Sequence, residues 1–217
     1  MRDGRYGPAG LIDAVNVQNM AAPEQWRFKK ALSGGGALPD IGLYCLNAAR
    51  FLTGEEPVEV FARTFAPPGD PRFGEVEEMV SFTLRFPSGL VANSAASYGL
   101  HENRRLGVGL PGAAIEIGNA FAYEGQRVRV AHRDGSTESV DDRRIPAKNQ
   151  FALELDHLAE CIRTGRMPRT PGQEGLANQR IMEAIYRSAE TGQPVALAKI
   201  AGLDTTRGPA LPEDQAG

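Results

Sequence analysis

Apolar and polar residues change rhythm several times along the chain. Residues 11–17 (LIDAVNV) place apolar side chains at alternating positions, the pattern of a strand with one buried face. Residues 24–32 then predict a helix, with Pro23 in its first turn where the missing N–H costs nothing. Ser33-Gly34-Gly35-Gly36 ends it, because consecutive glycines allow a sharp reversal closed to other residues. Pro39-Asp40 opens a second helix that runs through Phe51 and Leu52 and stops at Thr53-Gly54. Ile41, Leu43, Cys45, Leu46, Ala48, Ala49 and Leu52 make that helix apolar nearly all round, which predicts deep packing.

From residue 58 the period becomes two. Residues 58–65, 79–86 and 90–97 alternate, and Pro87-Ser88-Gly89 joins the last two as a hairpin. Shorter strands are expected at 105–110, 113–117, 121–123, 127–131 and 138–140, with a turn over residues 132–136. Strands in succession, without helices between them, pair antiparallel. Helical spacing returns at 149–164, through Phe151, Leu155, Leu158, Ala159 and Ile162, and again at 173–191, stopped by Gly192 and Pro194. Beyond Ile200 there is no period, so a flexible tail is expected. Helices at both ends of a strand-rich middle predict an α+β fold, an antiparallel sheet with helices on one face.

Composition narrows the function classes. The 217 residues are 41% apolar, enough for one good core. Lys and Arg number 24 against 27 Asp and Glu, a net charge of −3 that does not suit a phosphate backbone, so no nucleic-acid role is expected. Cys45 and Cys161 form no CxxC pair and are too few for a disulfide scaffold; with three scattered His, no metal site is expected. The 25 Gly and 15 Pro punctuate apolar runs and mark turns. No apolar run approaches the ~18 residues of a membrane span, so a soluble, cytoplasmic protein without membrane partners is expected.

Candidate chemistry concentrates around the glycine run. Asp40 and Tyr44 lie four apart at a helix start, so their side chains share a face. A carboxylate and a phenol together can manage a proton on a substrate hydroxyl. The same spacing also suits an N-cap and a core aromatic. Upstream, the single tryptophan, Trp26, precedes Arg27, Lys29 and Lys30; they read as a stacking-and-anchoring set for a sugar or phosphate, or as a solvated basic helix face. Gly107-Val108-Gly109-Leu110-Pro111-Gly112 is a literal GxGxxG. Pro111 removes an N–H, and the following AAIEI continues as a strand rather than a helix, so it reads as a β-turn and not a nucleotide loop. His101, His132 and His157 have no partners that spacing identifies, and both cysteines read as small buried hydrophobes.

The string from Trp26 to Asn47, WRFKKALSGGGALPDIGLYCLN, resembles the second domain of the Gfo/Idh/MocA oxidoreductases, and most closely the glucose–fructose oxidoreductase branch. GEEPVEV at 54–60, NQF with LDHL at 149–158, and AIYRSA followed by TGQPV at 184–195 are similar to other stretches of that domain. The resemblance implies an open, mostly antiparallel sheet of about six or more strands, its other face serving as a dimer or tetramer interface. It implies an NAD(P)-dependent oxidation or reduction of a sugar-like polyol. Asp40 would orient the substrate, and Tyr44 would give and take the proton of its hydroxyl. Trp26, Arg27 and Lys30 would line the substrate and cofactor cleft, and Tyr186 would approach the cofactor from the closing helix.

The family's Gly-rich nucleotide loop and Glu-Lys-Pro motif have no counterpart in these residues. The expectation is therefore a seam remnant at 1–10, a substrate and oligomerisation domain at 11–197, and a tail at 198–217. Such a chain would not turn over alone. Two rival readings stand beside it: a free-standing polyol-binding or scaffold protein, and half of a split enzyme whose Rossmann half is a separate partner chain.

Overall fold

The computed structural model describes residues 4–198, so the expected tail lies outside the described residues save for Ala198. Among the described residues nine strands form one open sheet: β1 (Leu11–Asn19), β2 (Glu59–Phe65), β3 (Met79–Arg85), β4 (Val91–Ser97), β5 (Gly99–Leu110), β6 (Ala113–Gly118), β7 (Arg127–Asp134), β8 (Thr137–Arg144) and β9 (Val195–Ala196). Their order is β8-β7-β6-β5-β1-β4-β3-β2-β9. The one parallel neighbour pair is β1 with β4, in register from Leu11 opposite Val91 to Val17 opposite Ser97. Every other pairing is antiparallel. The expected α+β architecture holds.

Alternation decides which face is buried. Ala62, Phe82, Ser94 and Ala14 are successive cross-strand neighbours, and all four are buried. On that face lie α2 (Leu43–Thr53), over β1 and β4, and α4 (Gly172–Thr191), over β2. Cys45, Leu46 and Ala49 of α2, with Ile181 and Ile185 of α4, close the core over Val60, Val80, Leu84 and Ala92. Ser188 of α4 accepts the Ala62 N–H through its hydroxyl, tying the helix to a strand. The opposite face mixes the Glu59–Arg85 and Glu116–Arg129 ion pairs, and Asn93, which donates to Asp13, with the exposed Leu11, Phe61 and Phe65.

One buried cation joins the two helices. Arg50 of α2 donates to Glu56, to both carboxylate oxygens of Glu174 on α4, and to Asn178 at 2.5 Å. With six hydrogen-bond contacts to carboxylates or amide, the guanidinium replaces the hydration it loses on burial; removing one partner of such a cluster costs about 3–5 kcal/mol.

Four local expectations are corrected. The helix expected at 24–32 is instead a 3-10 turn, Trp26–Phe28, and a single helical turn, α1 (Lys30–Ser33), separated by extended Lys29. Phe28 is buried edge-on against Phe73 and Tyr98, and the Lys30 N–H goes to the Glu75 carboxylate, so packing and a side-chain acceptor outweigh helix propensity. The strand expected at 121–123 is a turn: Asn119 takes a left-handed φ of 55° and its side chain donates to the Glu124 carbonyl. The second helix does not begin as an α-helix at Pro39; a π-turn, Leu38–Gly42, precedes α2. Nor is α2 buried all round, since Tyr44 and Phe51 are exposed on its far side.

The helix at 149–164 forms as α3 (Gln150–Thr164), with Asn149 as N-cap accepting the Ala152 N–H. Its stripe of Phe151, Leu155, Leu158 and Ile162 faces away from the core; Ile162 is 76% exposed. Phe151 lies edge-on to Tyr123, in the turn between β6 and β7.

Candidate functional site

Asp40 sits in the π-turn that leads into α2, and two elements distant in sequence converge on it. Arg27, from the 3-10 turn, donates Nε–H to Asp40 Oδ2 at 2.8 Å. Tyr98, the residue after β4, donates its hydroxyl to the same oxygen at 2.5 Å. About a third of the Asp40 and Arg27 side chains stays exposed, whereas Tyr98 is fully buried. The Asp40 bond, ahead of its charge, raises the Arg27 pKa. Burial first, then the bond to Asp40, drives the Tyr98 phenol far above its usual value, so it is a fixed donor.

Tyr44 follows one helical turn on and is 44% exposed. Burial, then the neighbouring Tyr123 and the Asp40 charge, raise its pKa, so its phenol keeps its proton at neutral pH. Its ring lies 6.2 Å from Phe121, in the turn that replaces the expected strand. Trp26 is half exposed, with the Arg27 guanidinium 4.7 Å from its ring. The structure thus brings Trp26, Arg27, Asp40 and Tyr44 to one end of the sheet around a partly open, polar and aromatic surface.

The other two candidates lie differently. The Lys30 backbone N–H donates to the Glu75 carboxylate, and its side chain is exposed. Tyr186 donates its hydroxyl to Glu77 Oε1 at 2.9 Å beneath the glycine run. Burial, and then the Glu77 charge, hold its phenol well above the ordinary range.

Tyr98 and Glu77 escaped the sequence reading. Both belong to strand-rich segments with no motif of their own; the one available signal was a glutamate, Glu77, on a buried face just before β3. Burial pushes the Cys45 thiol up to about 12, and Cys161 is buried in α3 near His157, whose Nε2 accepts the Arg169 N–H. The literal GxGxxG lies in β5 and its turn to β6, where Gly107 and Gly109 pair with Glu116 and Ala114. Among the described residues, no group of three or more His, Cys, Asp or Glu could hold a metal ion, and no helix is long and apolar enough to cross a membrane.

Known proteins carry the same domain. The family description GFO/IDH/MocA C-terminal domain matches residues 1–137. The D-xylose 1-dehydrogenase [NADP(+)] of Haloarcula marismortui is 31% identical over 177 residues, 81% of this chain and 48% of that protein. The scyllo-inositol 2-dehydrogenase (NAD(+)) of Bacillus subtilis is 29% identical over 75% of this chain and 48% of its own length. The crystal structure of an aldose-aldose oxidoreductase from Caulobacter crescentus complexed with glycerol superposes with a TM-score of 0.83 at 45% identity, covering 90% of this chain and 58% of that one. The chain therefore spans about half the length of the curated relatives it matches. The match over residues 1–137 covers more than half of the chain, and on this ground the chain belongs to the GFO/IDH/MocA family, through its C-terminal domain.

Proposed function

We propose that this chain is the substrate-handling and oligomerisation domain of an NAD(P)-dependent sugar or polyol oxidoreductase, and that it does not turn over without a nucleotide-binding half. The convergence of Arg27 and Tyr98 on Asp40, one helical turn from Tyr44, carries the reading. Both donors fall on Oδ2, which leaves Oδ1 to accept a ligand hydroxyl. Tyr44, still protonated at neutral pH, gives its proton to a substrate oxygen as that oxygen becomes an alkoxide, and takes it back in the reverse direction. Trp26 offers a half-exposed indole for stacking on a sugar ring, with Arg27 beside it. Tyr186, bound to Glu77, supports the site from below rather than through a free hydroxyl.

The described residues do not fit a dinucleotide. Its phosphates need a glycine loop opening a helix, and the GxGxxG here runs from one strand into the next. NAD(P) supplies a hydride acceptor or donor where it is bound, and that site belongs to the other half. The exposed stripe of α3 supports such a partner, because an amphipathic helix with its apolar face in solvent calls for a cover. Whether that half is part of the same polypeptide or a separate chain, as in the split-enzyme reading, the surface requirement is the same. Two free, buried cysteines suit a reducing cytoplasm.

Calorimetry of the chain with NAD+ and NADP+ tests the division of labour: no saturable heat is expected at submillimolar nucleotide, and micromolar binding would contradict it. Light scattering at tens of micromolar tests the assembly role. A dimer or tetramer formed through the outer sheet face, weakened by Phe61→Glu, is expected; a strict monomer would contradict it.

A further inference from the structure

The glycine run and the catalytic turn are separate in sequence from residue 77, yet one carboxylate holds both. Glu77 is buried, and its Oε2 accepts the Gly36 N–H at 2.9 Å. Its Oε1 accepts the Leu38 N–H, also at 2.9 Å, and the Tyr186 hydroxyl. Leu38 begins the π-turn and Asp40 is its third residue, so the anchored N–H groups flank the approach to Asp40. Among the described residues, no Lys or Arg pairs with Glu77; its charge is met by two backbone dipoles and a phenol.

The local sequence is shaped around this contact. A Cβ on Gly36 would stand 1.9 Å from the Glu77 carbonyl oxygen, and one on Gly35 1.9 Å from the Tyr186 hydroxyl. Gly34, at φ +77°, closes α1 in the left-handed region and meets nothing. Each glycine therefore has its own cause, and two of the three exist to let Glu77 and Tyr186 reach the backbone.

We propose that Glu77 is a positioning residue for the site: its carboxylate, braced by Tyr186, latches the Gly36 and Leu38 N–H groups and thereby fixes the turn that presents Asp40 to Arg27 and Tyr98. The position calls for a carboxylate. Both oxygens face donors, and a glutamine must turn an NH2 toward at least one of them, which leaves a buried donor unmatched. The adjacent Glu78 points the other way along the extended chain, accepting from the Ser97 hydroxyl, so it cannot substitute. The proposal rests on the reading of Asp40 as a substrate-contacting group only for its consequence, not for the latch itself.

Nuclear magnetic resonance of the whole chain tests it. In Glu77→Gln, hydrogen exchange at Gly36 and Leu38 is expected to rise about tenfold or more, and the Arg27 Nε–H resonance, which reports its bond to Asp40, to be lost. The urea midpoint and the amides of β3 and β4 show that the sheet is intact. Tyr186→Phe keeps the carboxylate and is expected to raise exchange at the same two amides by a few fold while keeping the Arg27 signal. Should Glu77→Gln fail to fold, Tyr186→Phe alone decides, and unchanged exchange in it overturns the latch. Protected Gly36 and Leu38 in folded Glu77→Gln, or a retained Arg27 signal, also overturns it. The separate reading of Asp40 fails in another way: the latch opens as expected, but added D-xylose perturbs the Asp40 region of neither the wild type nor the variant.

Discussion

Tyr98 and Arg27 share a single oxygen of Asp40, the phenol at 2.5 Å and the guanidinium Nε at 2.8 Å. One donor is fully buried and the other partly exposed, so the carboxylate is pinned from the core side and reachable from the solvent side. A hydrogen bond to a charged group contributes about 1.5–3 kcal/mol. Tyr98→Phe keeps the ring that packs edge-on against Phe28 and deletes the hydroxyl that makes this bond. It is expected to lower stability by that amount in urea denaturation and to leave the far-ultraviolet circular dichroism unchanged. An unaltered urea midpoint would show that the bond does not hold the turn.

The tyrosines also set an alkaline limit. Tyr98, Tyr186 and Tyr44 all have raised pKa values in the fold, mainly through burial. In the unfolded chain each ionises near 10, so above that pH the unfolded state holds fewer protons than the folded one. Stability is therefore full below pH 10 and falls as pH rises beyond it. Chemical denaturation between pH 8 and about 11 should show the decline, with a shallower slope in Tyr98→Phe. A flat profile would contradict the burial of these phenols.

The glycine run predicts an order of tolerance. Gly34→Ala carries only the left-handed backbone strain of about 1–2 kcal/mol, because nothing lies near its Cβ. Gly35→Ala displaces the Tyr186 hydroxyl, the end of a side chain, and is partly relieved by Tyr186→Phe. Gly36→Ala drives a methyl into the Glu77 backbone and is the most damaging. Thermal unfolding of the three variants checks the order, and an equal loss at all three would refute the separate causes given to Gly35 and Gly36.

Much of this was legible in the sequence. Alternation marks β1 to β4, short candidates fall on parts of β5 to β8, and Thr53-Gly54 marks the end of α2, whose start lies after Pro39-Asp40. Helical spacing, a local property, puts Asp40 and Tyr44 on one face but leaves an N-cap and a core aromatic open; the family resemblance is what singles them out. Local spacing does not mark Tyr98 and Glu77, because they reach Asp40 and the glycine run from 58 and 41 residues away, through pairing that no local period encodes. The first helix broke for a related reason: Phe28 turns into the core against Phe73, a partner 45 residues on, while Arg27 turns out toward Asp40. The two-residue β9 is too short for alternation to mark it.

The central claim is that Asp40, Tyr44, Arg27 and Trp26 form the sugar-handling surface of the chain. Titration of the 15N-labelled chain with D-xylose, in wild type and Asp40→Asn, tests it most directly. The account predicts saturable shifts confined to the Trp26 indole, Arg27 Nε–H and the amides of residues 38–44, abolished or much weakened in Asp40→Asn. Saturable binding that maps elsewhere, or that is indifferent to Asp40→Asn, would contradict it.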